Sequence, residues 1–179
     1  LEKFVADPYT PVQGKSDYLT AVIQRTDPKF MRSFMPQMDV IMEKTLQVHP
    51  SDSTMMGLAA IWYYSTERMD DAQRWFALNS ETYPESISAR ASLVEFLMYA
   101  QKWEDLSAEG RKAFEDFPQE SAFLEMASVG DFNLERYDDV MDICDRVLQV
   151  APRDSSKTLR AWSTKGDIYM KLGESSKAY

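Results

Sequence analysis

Apolar residues recur every three or four positions along most of the chain, which is the period of an amphipathic helix. Two such stretches follow each other in each of three consecutive blocks, and short polar segments separate them. The pattern therefore predicts three helix–turn–helix units. The predicted helices cover residues 54–65 and 70–82, 88–100 and 104–116, and 122–132 and 138–150.

Four prolines mark the ends of these units at a constant interval. Pro50, Pro84, Pro118 and Pro152 each follow the one before by 34 residues. Proline disfavours the helical conformation of the residue that precedes it, so each of these prolines ends a second helix. A fixed period in this range is typical of a repeat protein. We predict full repeats, without gaps, at residues 53–86, 87–120 and 121–154.

The turn between the two helices has the same character in every unit. A large apolar residue precedes two acids, as in Met69-Asp70-Asp71, Trp103-Glu104-Asp105 and Tyr137-Asp138-Asp139. Negative charge is favoured in the first turn of a helix, where N–H groups are unpaired and the helix dipole is positive. Paired carboxylates also suit acid–base catalysis or cation binding, but their recurrence in every unit favours helix starts.

The second helices carry small residues on one face. Gly110, Ala113 and Cys144 share this face and predict a close approach of neighbouring helices. We interpret Cys144 as a small packing residue and not as a nucleophile. Trp103, next to the turn of its unit, is expected to wedge between helices.

The repeating pattern resembles the tetratricopeptide repeat, a 34-residue helix–turn–helix unit with a terminal proline. The best match lies near the end of the chain. It reads Trp162, Lys165-Gly166, Tyr169, Gly173 and Ala178, with Lys165 in place of the usual leucine. In the third full repeat Asp131 replaces an expected aromatic residue, which Phe132 would then supply. The resemblance covers about Met38 to Tyr179 and implies an all-α, right-handed solenoid (an α-α superhelix) of stacked helix–turn–helix repeats.

Both ends of the chain depart from the regular period. Residues 1–35 are predicted to form an irregular or helical segment that packs on the first repeat, with Leu1–Lys15 irregular and a helix start at Asp27-Pro28. Residues 36–52, which begin at Pro36, are predicted to be a partial repeat. Residues 159–179 are predicted to be a truncated repeat, which would leave an apolar face open to self-association.

The resemblance also implies a binding surface, because ligands of tetratricopeptide-repeat proteins usually lie along outward positions of the first helices. The corresponding residues here are Ile61, Tyr64, Glu95, Met98, Tyr99, Glu125, Val129, Phe132, Asp167 and Met170. This lining is apolar and aromatic with interspersed acids, so a basic or apolar segment of another protein is the expected partner. Residues 1–15 of the chain itself are an alternative occupant.

Composition narrows the classes of function further. The chain is 44% hydrophobic and 27% charged, which is typical of a globular protein. Its net charge of -9 disfavours nucleic acids and anionic membrane surfaces as partners. The longest nearly apolar run, Met55 to Tyr64, is too short to cross a bilayer. One cysteine and one histidine, His49 at a helix end, suit neither a catalytic triad nor a cysteine-based metal site.

These observations favour a non-enzymatic scaffold that binds a peptide or helix of a partner protein, with no cofactor and no metal. The alternative is a structural, oligomerisation or spacer domain of a larger protein or assembly. Acid–base catalysis by Glu95 and Glu125 has the weakest basis of the three hypotheses. We expect a soluble protein of the cytoplasm or the bacterial periplasm, and the sequence does not decide between the two.

Overall fold

The computed structural model of this chain describes residues 1–24 and 27–178, and within them the side chains of all but residues 28–32 and 175. The described residues form ten α-helices and one short 3₁₀ turn, without a β-strand. The all-α fold class is therefore confirmed. The helices are α1 (Glu2–Ala6), α2 (Val12–Ile23), α3 (Pro28–Val48), α4 (Ser53–Ser65), α5 (Met69–Thr82), α6 (Ile87–Tyr99), α7 (Trp103–Asp116), α8 (Ala122–Asn133), α9 (Tyr137–Val150) and α10 (Ser155–Lys171), and the 3₁₀ turn is Ser175–Lys177.

The helix pairs α4–α5, α6–α7 and α8–α9 match the predicted helices of the three repeats to within one residue at every end. The acids of each turn lie in the first turn of the second helix, as in α5, which begins with Asp70 and Asp71 after Met69. Side-chain caps add to the helix starts at three first helices. Ser86 Oγ accepts from the amide of Ala89 at α6, at 3.2 Å. Asp52 accepts from the amide of Met55 at α4, and Asp154 accepts from the amide of Lys157 at α10, each at 3.0 Å.

The first helix of every full repeat ends in the same backbone motif. Glu67, Gln101 and Glu135 have φ values of 62°, 56° and 59°, in the left-handed region. The amide that follows each of them donates to a carbonyl five residues back, as from Arg68 to Tyr63 at 2.9 Å. This is a Schellman motif, in which glycine is the usual residue. At α10 the equivalent residue is Gly173, with φ 75°.

The chain divides into two compact units, Leu1–Ala89 and the part that begins at Arg90, so the division falls inside α6. The core of the first unit includes Val5, Leu19, Met38, Met42 and Trp62. Here α1 packs on α3 and α2 on α4. The N-terminal segment thus forms helices that complete the core. The prediction that Leu1–Lys15 is irregular is wrong for residues 2–6 and 12–15, which are helical, whereas residues 7–11 lie outside the helices.

Helix α3 is one continuous helix where the sequence predicts a break at Pro36. The expected start at Pro28 is confirmed, but the helix continues through Pro36, where the sequence predicts the start of a partial repeat. Proline inside a helix removes one backbone hydrogen bond, and here Met38, Ile41 and Met42 bury the following turns in the core. Packing therefore outweighs the local preference for a break. Arg25 and Thr26, which precede this helix, lie outside the described residues.

The Trp62 side chain anchors α4 in the first unit. It is completely buried, and its indole Nε1 donates to Asp39 Oδ1 of α3 at 2.7 Å. Arg68 pairs with both oxygens of the same carboxylate, at 3.0 and 2.7 Å. Trp103, which the sequence singles out, is only half-buried. The tryptophan that wedges most deeply between helices is therefore Trp62.

In the second unit α7 and α8 approach so closely that side chains are excluded at two crossing points. A Cβ atom on Gly130 of α8 would lie 2.6 Å from the carbonyl oxygen of Trp103, and one on Gly110 of α7 would lie 2.9 Å from that of Phe123. The predicted packing role of Gly110 is confirmed. Gly130 on the facing helix has the same role and was not predicted.

Asp131 occupies the position where the repeat pattern expects an aromatic residue. Its side chain is completely buried, accepts from Ser107 Oγ at 2.7 Å and forms an ion pair with Arg111. A polar cluster thus takes the place of the aromatic side chain that the repeat pattern expects. Phe132, expected to supply the missing aromatic, is half-buried and lies against Tyr137, with ring centroids 5.8 Å apart.

Candidate interaction site

The ten residues predicted to face a partner all lie on first helices. Three of them are half-buried, namely Met98, Glu125 and Phe132. The other seven are exposed: Ile61, Tyr64, Glu95, Tyr99, Val129, Asp167 and Met170. Ile61 and Tyr64 belong to the first unit, and the others belong to the second. Of the set, the structure brings Glu125, Val129, Phe132 and Asp167 together on one cleft.

This cleft, which we call the α8–α10 cleft, exists because α8 and α10 both pack on α9 and leave a space between them. It has two neighbouring pockets that share Ser128, Val129 and Thr164. The first pocket has a volume of about 160 Å³ and the second of about 240 Å³. The additional lining residues of the first pocket are Glu125, Ile143, Cys144, Val147, Lys157, Arg160 and Ala161, and those of the second are Phe132, Asn133 and Asp167.

Helical periodicity explains which side chains reach the cleft. On α8, Val129 and Phe132 are three residues apart and share a face; on α10 the same spacing relates Ala161 to Thr164. The floor of the first pocket comes from the apolar face of α9, which includes Ile143, Cys144 and Val147. The floor is apolar, and the side chains around it carry charge. Such a cleft suits an apolar side chain of a ligand better than a fully charged one.

Basic residues of α10 border the cleft. The repeat register places Lys171 among the outward positions of the first helices, but it does not single out Lys157 or Arg160. Arg160 forms an ion pair with Glu125, with 2.7 Å between Nη2 and Oε2. Lys157 Nζ donates to Ser121 Oγ at 2.8 Å. Lys171 Nζ lies 4.8 Å from the ring centroid of Phe132. The composition of α10 is the feature of the sequence that indicates these basic residues. This helix has four basic side chains and one acidic one, in a chain of net charge -9.

Glu125 is the one acid of the first pocket. Oε2 is paired with Arg160, whereas Oε1 is buried and has no hydrogen-bond partner among the described residues. A buried acceptor without a donor costs free energy. Because Oε1 is buried, a ligand can reach this carboxylate only through Oε2, which Arg160 holds.

Cys144, in the floor of the first pocket, is not activated as a nucleophile. Burial raises the pKa of its thiol to about 11, so the thiol stays protonated at neutral pH. Because the thiolate is the nucleophilic form, its packing role agrees with the prediction.

The described residues contain no group of three or more histidine, cysteine, aspartate or glutamate side chains that could hold a metal ion. Among the described helices, none has the length and apolarity to span a membrane.

Comparison with known proteins shows the fold. No family model matches the sequence, and no curated protein matches it. The structure is similar to that of MamA AMB-1, with a TM-score of 0.63, 16% identity, and coverage of 93% of this chain and 89% of that chain. MamA from Desulfovibrio magneticus RS-1 gives a TM-score of 0.62 at 10% identity, covering 92% and 89% of the two chains. MamA MSR-1 gives 0.61 at 16% identity, covering 92% and 90%. The chain therefore has the all-α helical-repeat solenoid fold of these MamA structures.

Proposed function

We propose that the protein is a non-enzymatic interaction module of the tetratricopeptide-repeat family, and that it binds an extended or helical segment of a partner protein in the α8–α10 cleft. One observation carries the proposal. Val129 is 38% exposed and is shared by both pockets, above an apolar floor formed by Ile143 and Val147. An exposed apolar side chain over an apolar floor is a site where a ligand can bury surface that water otherwise covers.

The size of the first pocket fits one apolar side chain. Its volume is about 160 Å³, and burying a Leu- or Phe-sized side chain yields about 1.5–3 kcal/mol. One anchor of this size gives weak binding, so a partner segment needs further contacts along the first helices. The other predicted residues, Glu95, Met98, Tyr99 and Met170, together with Ile61 and Tyr64 in the first unit, are candidates for those contacts. Exposed acids such as Glu95 would favour basic flanks at their own positions.

The proposed repeats are those of the sequence pattern, at residues 53–86, 87–120 and 121–154, with a truncated repeat at 159–179. The equal spacing of the three left-handed residues, Glu67, Gln101 and Glu135, supports this division.

A structural or oligomerisation role is the second candidate function. It is favoured by Leu159 and Trp162 on α10, which are 70% and 58% exposed. Two large apolar side chains at such exposure suit an interface with another copy or another domain. Sedimentation of wild type against Trp162→Glu tests this role. Association that depends on Trp162 supports it, and a monomer at all concentrations refutes self-association.

A peptide selection tests the binding role. Random peptides displayed on phage are selected on the wild-type protein and then measured on Val129→Asp and on the control Val150→Asp. Val150 is 48% exposed at the end of α9 and lies outside the cleft lining, so both variants place a charge at an exposed valine. Peptides that lose binding only with Val129→Asp support the cleft. If no selected peptide depends on Val129, the assignment is wrong.

A further inference from the structure

We infer that the α8–α10 cleft selects a partner segment in which a carboxylate lies next to the apolar anchor. The inference rests on the proposed function, since it names the chemistry of the segment bound at that same site. It reverses, for this cleft, the preference for a basic segment that the sequence suggests.

The first argument is the sign of the charge around the cleft. The first pocket is lined by Lys157 and Arg160 against one acid, Glu125, whereas the second is lined by one acid, Asp167, with Lys171 beside Phe132. The first pocket is thus locally basic in a chain of net charge -9. Because electrostatic complementarity sets which segments are admitted, an acidic segment is favoured at this pocket.

The second argument is the supply of hydrogen-bond donors. The Arg160 side chain is 60% exposed and is paired with Glu125 through one nitrogen. A guanidinium has five N–H donors in a planar fork that matches a carboxylate. The Lys157 ammonium has three donors, one of which goes to Ser121. The basic end of the first pocket therefore presents donors to a ligand.

The third argument concerns the acid that would have attracted a basic partner. The Glu125 side chain is 25% exposed, and its Oε2 atom is held by Arg160. A lysine or arginine of a ligand would meet the Arg160 and Lys157 charges at the same end of the pocket. A carboxylate would gain from these two charges, while an apolar neighbour enters the space above Cys144 and Val129.

The test extends the peptide selection. Peptides whose binding depends on Val129 are synthesised with a fluorescent label and titrated by anisotropy against wild type, Arg160→Gln, Glu125→Gln and the control Arg153→Gln. Arg153 is exposed and precedes α10 outside the cleft lining, so its variant changes net charge by the same amount as Arg160→Gln. Circular dichroism checks that each variant keeps its helical content.

The expected result has three parts. The selected peptides are enriched in aspartate and glutamate beside an apolar residue. Arg160→Gln weakens their binding by about twofold to fivefold, as for one partly exposed ion pair, and Arg153→Gln leaves it unchanged. Glu125→Gln strengthens binding, because it frees Arg160 and removes a repelling charge.

The outcomes separate the two proposals. Val129-dependent peptides that are basic or without charge bias overturn the inference and leave the proposed function standing. The inference is likewise overturned if Arg160→Gln and Arg153→Gln bind the acidic peptides equally well. If no Val129-dependent peptide is found, the proposed function and the inference both fail.

Discussion

Replacing Gly130 by alanine is expected to destabilise the protein, although alanine is the better helix former. The new Cβ atom would lie 2.6 Å from the carbonyl oxygen of Trp103 and 2.9 Å from the amide nitrogen of Ser107. Both neighbours are backbone atoms of α7, so neither can rotate away. The clash can be relieved only if α7 and α8 move apart, which also loosens the contacts of the buried Asp131 with Ser107 and Arg111.

The magnitude follows from two opposing effects. Overpacking a well-packed contact costs about 1–3 kcal/mol, and the backbone nature of the neighbours argues for the upper end. Alanine in place of glycine in a helix interior contributes about 1 kcal/mol in the opposite direction. The expected net loss is on the order of 2 kcal/mol, which for a chain of this length lowers the midpoint temperature by about 4–8 °C.

Gly166→Ala is the matched control in the same unit. A Cβ atom on Gly166 has its nearest neighbour at 3.6 Å, the carbonyl oxygen of Ala178, which is an ordinary contact. This variant should therefore gain up to about 1 kcal/mol from helix propensity alone. Urea denaturation followed by far-UV circular dichroism measures both variants. A Gly130→Ala protein as stable as Gly166→Ala would refute the close approach of α7 and α8.

Four other measurements check separate parts of the structure. Trp62→Ala should lower the free energy of unfolding by about 3–5 kcal/mol because the ring is fully buried. Trp103→Ala should lower it by less because that ring is half-buried, and equal losses in urea titrations would contradict the assigned core. Gln101→Gly should raise stability by about 1 kcal/mol because it removes strain at a positive φ, and a lower melting temperature would speak against that strain. Cys144, with its pKa raised by burial to about 11 against 9.0, should alkylate at mildly alkaline pH about a hundredfold more slowly in the folded chain than in urea; comparable rates would place the thiol at the surface. Burial lowers the pKa of Lys15 below 10.5, so the unfolded state binds more protons just below that pH. Wild-type stability relative to Lys15→Met should therefore rise from neutral pH toward 10.5, and a flat or falling difference would contradict the buried ammonium.

The buried Lys15 illustrates a contact that the sequence pattern could not supply. Its ammonium donates to the carbonyl oxygen of Asp7 at 2.7 Å and lies 2.8 Å from His49 Nε2. These partners come from a loop before α2 and from the residue that follows α3. Since residues 1–15 have no clear periodicity, neither their helices nor this contact follows from the pattern.

Asp131 and the three left-handed residues show a different limit. Residue type at these positions argues against what is found, because an acid is expected at the surface and glycine is expected at positive φ. Asp131 is nevertheless buried against Ser107 and Arg111, and Gln101 adopts a φ of 56°. Long-range partners in the first case, and closure of the turn in the second, outweigh the preference of the single residue.

The sequence by itself determined the six helices of the three full repeats, their pairing and the 34-residue period, because periodicity, proline spacing and first-turn acids act within one or two turns of the chain. It also determined which faces of the first helices are candidates for binding. Only the tertiary structure decided that Gly130 is a crossing point, that Glu125 is paired with Arg160, and that Lys157 and Arg160 line the first pocket of the α8–α10 cleft. Each of these features is a contact between residues of different helices. Whether two such residues meet depends on how the helices pack and cannot be read from their distance along the chain.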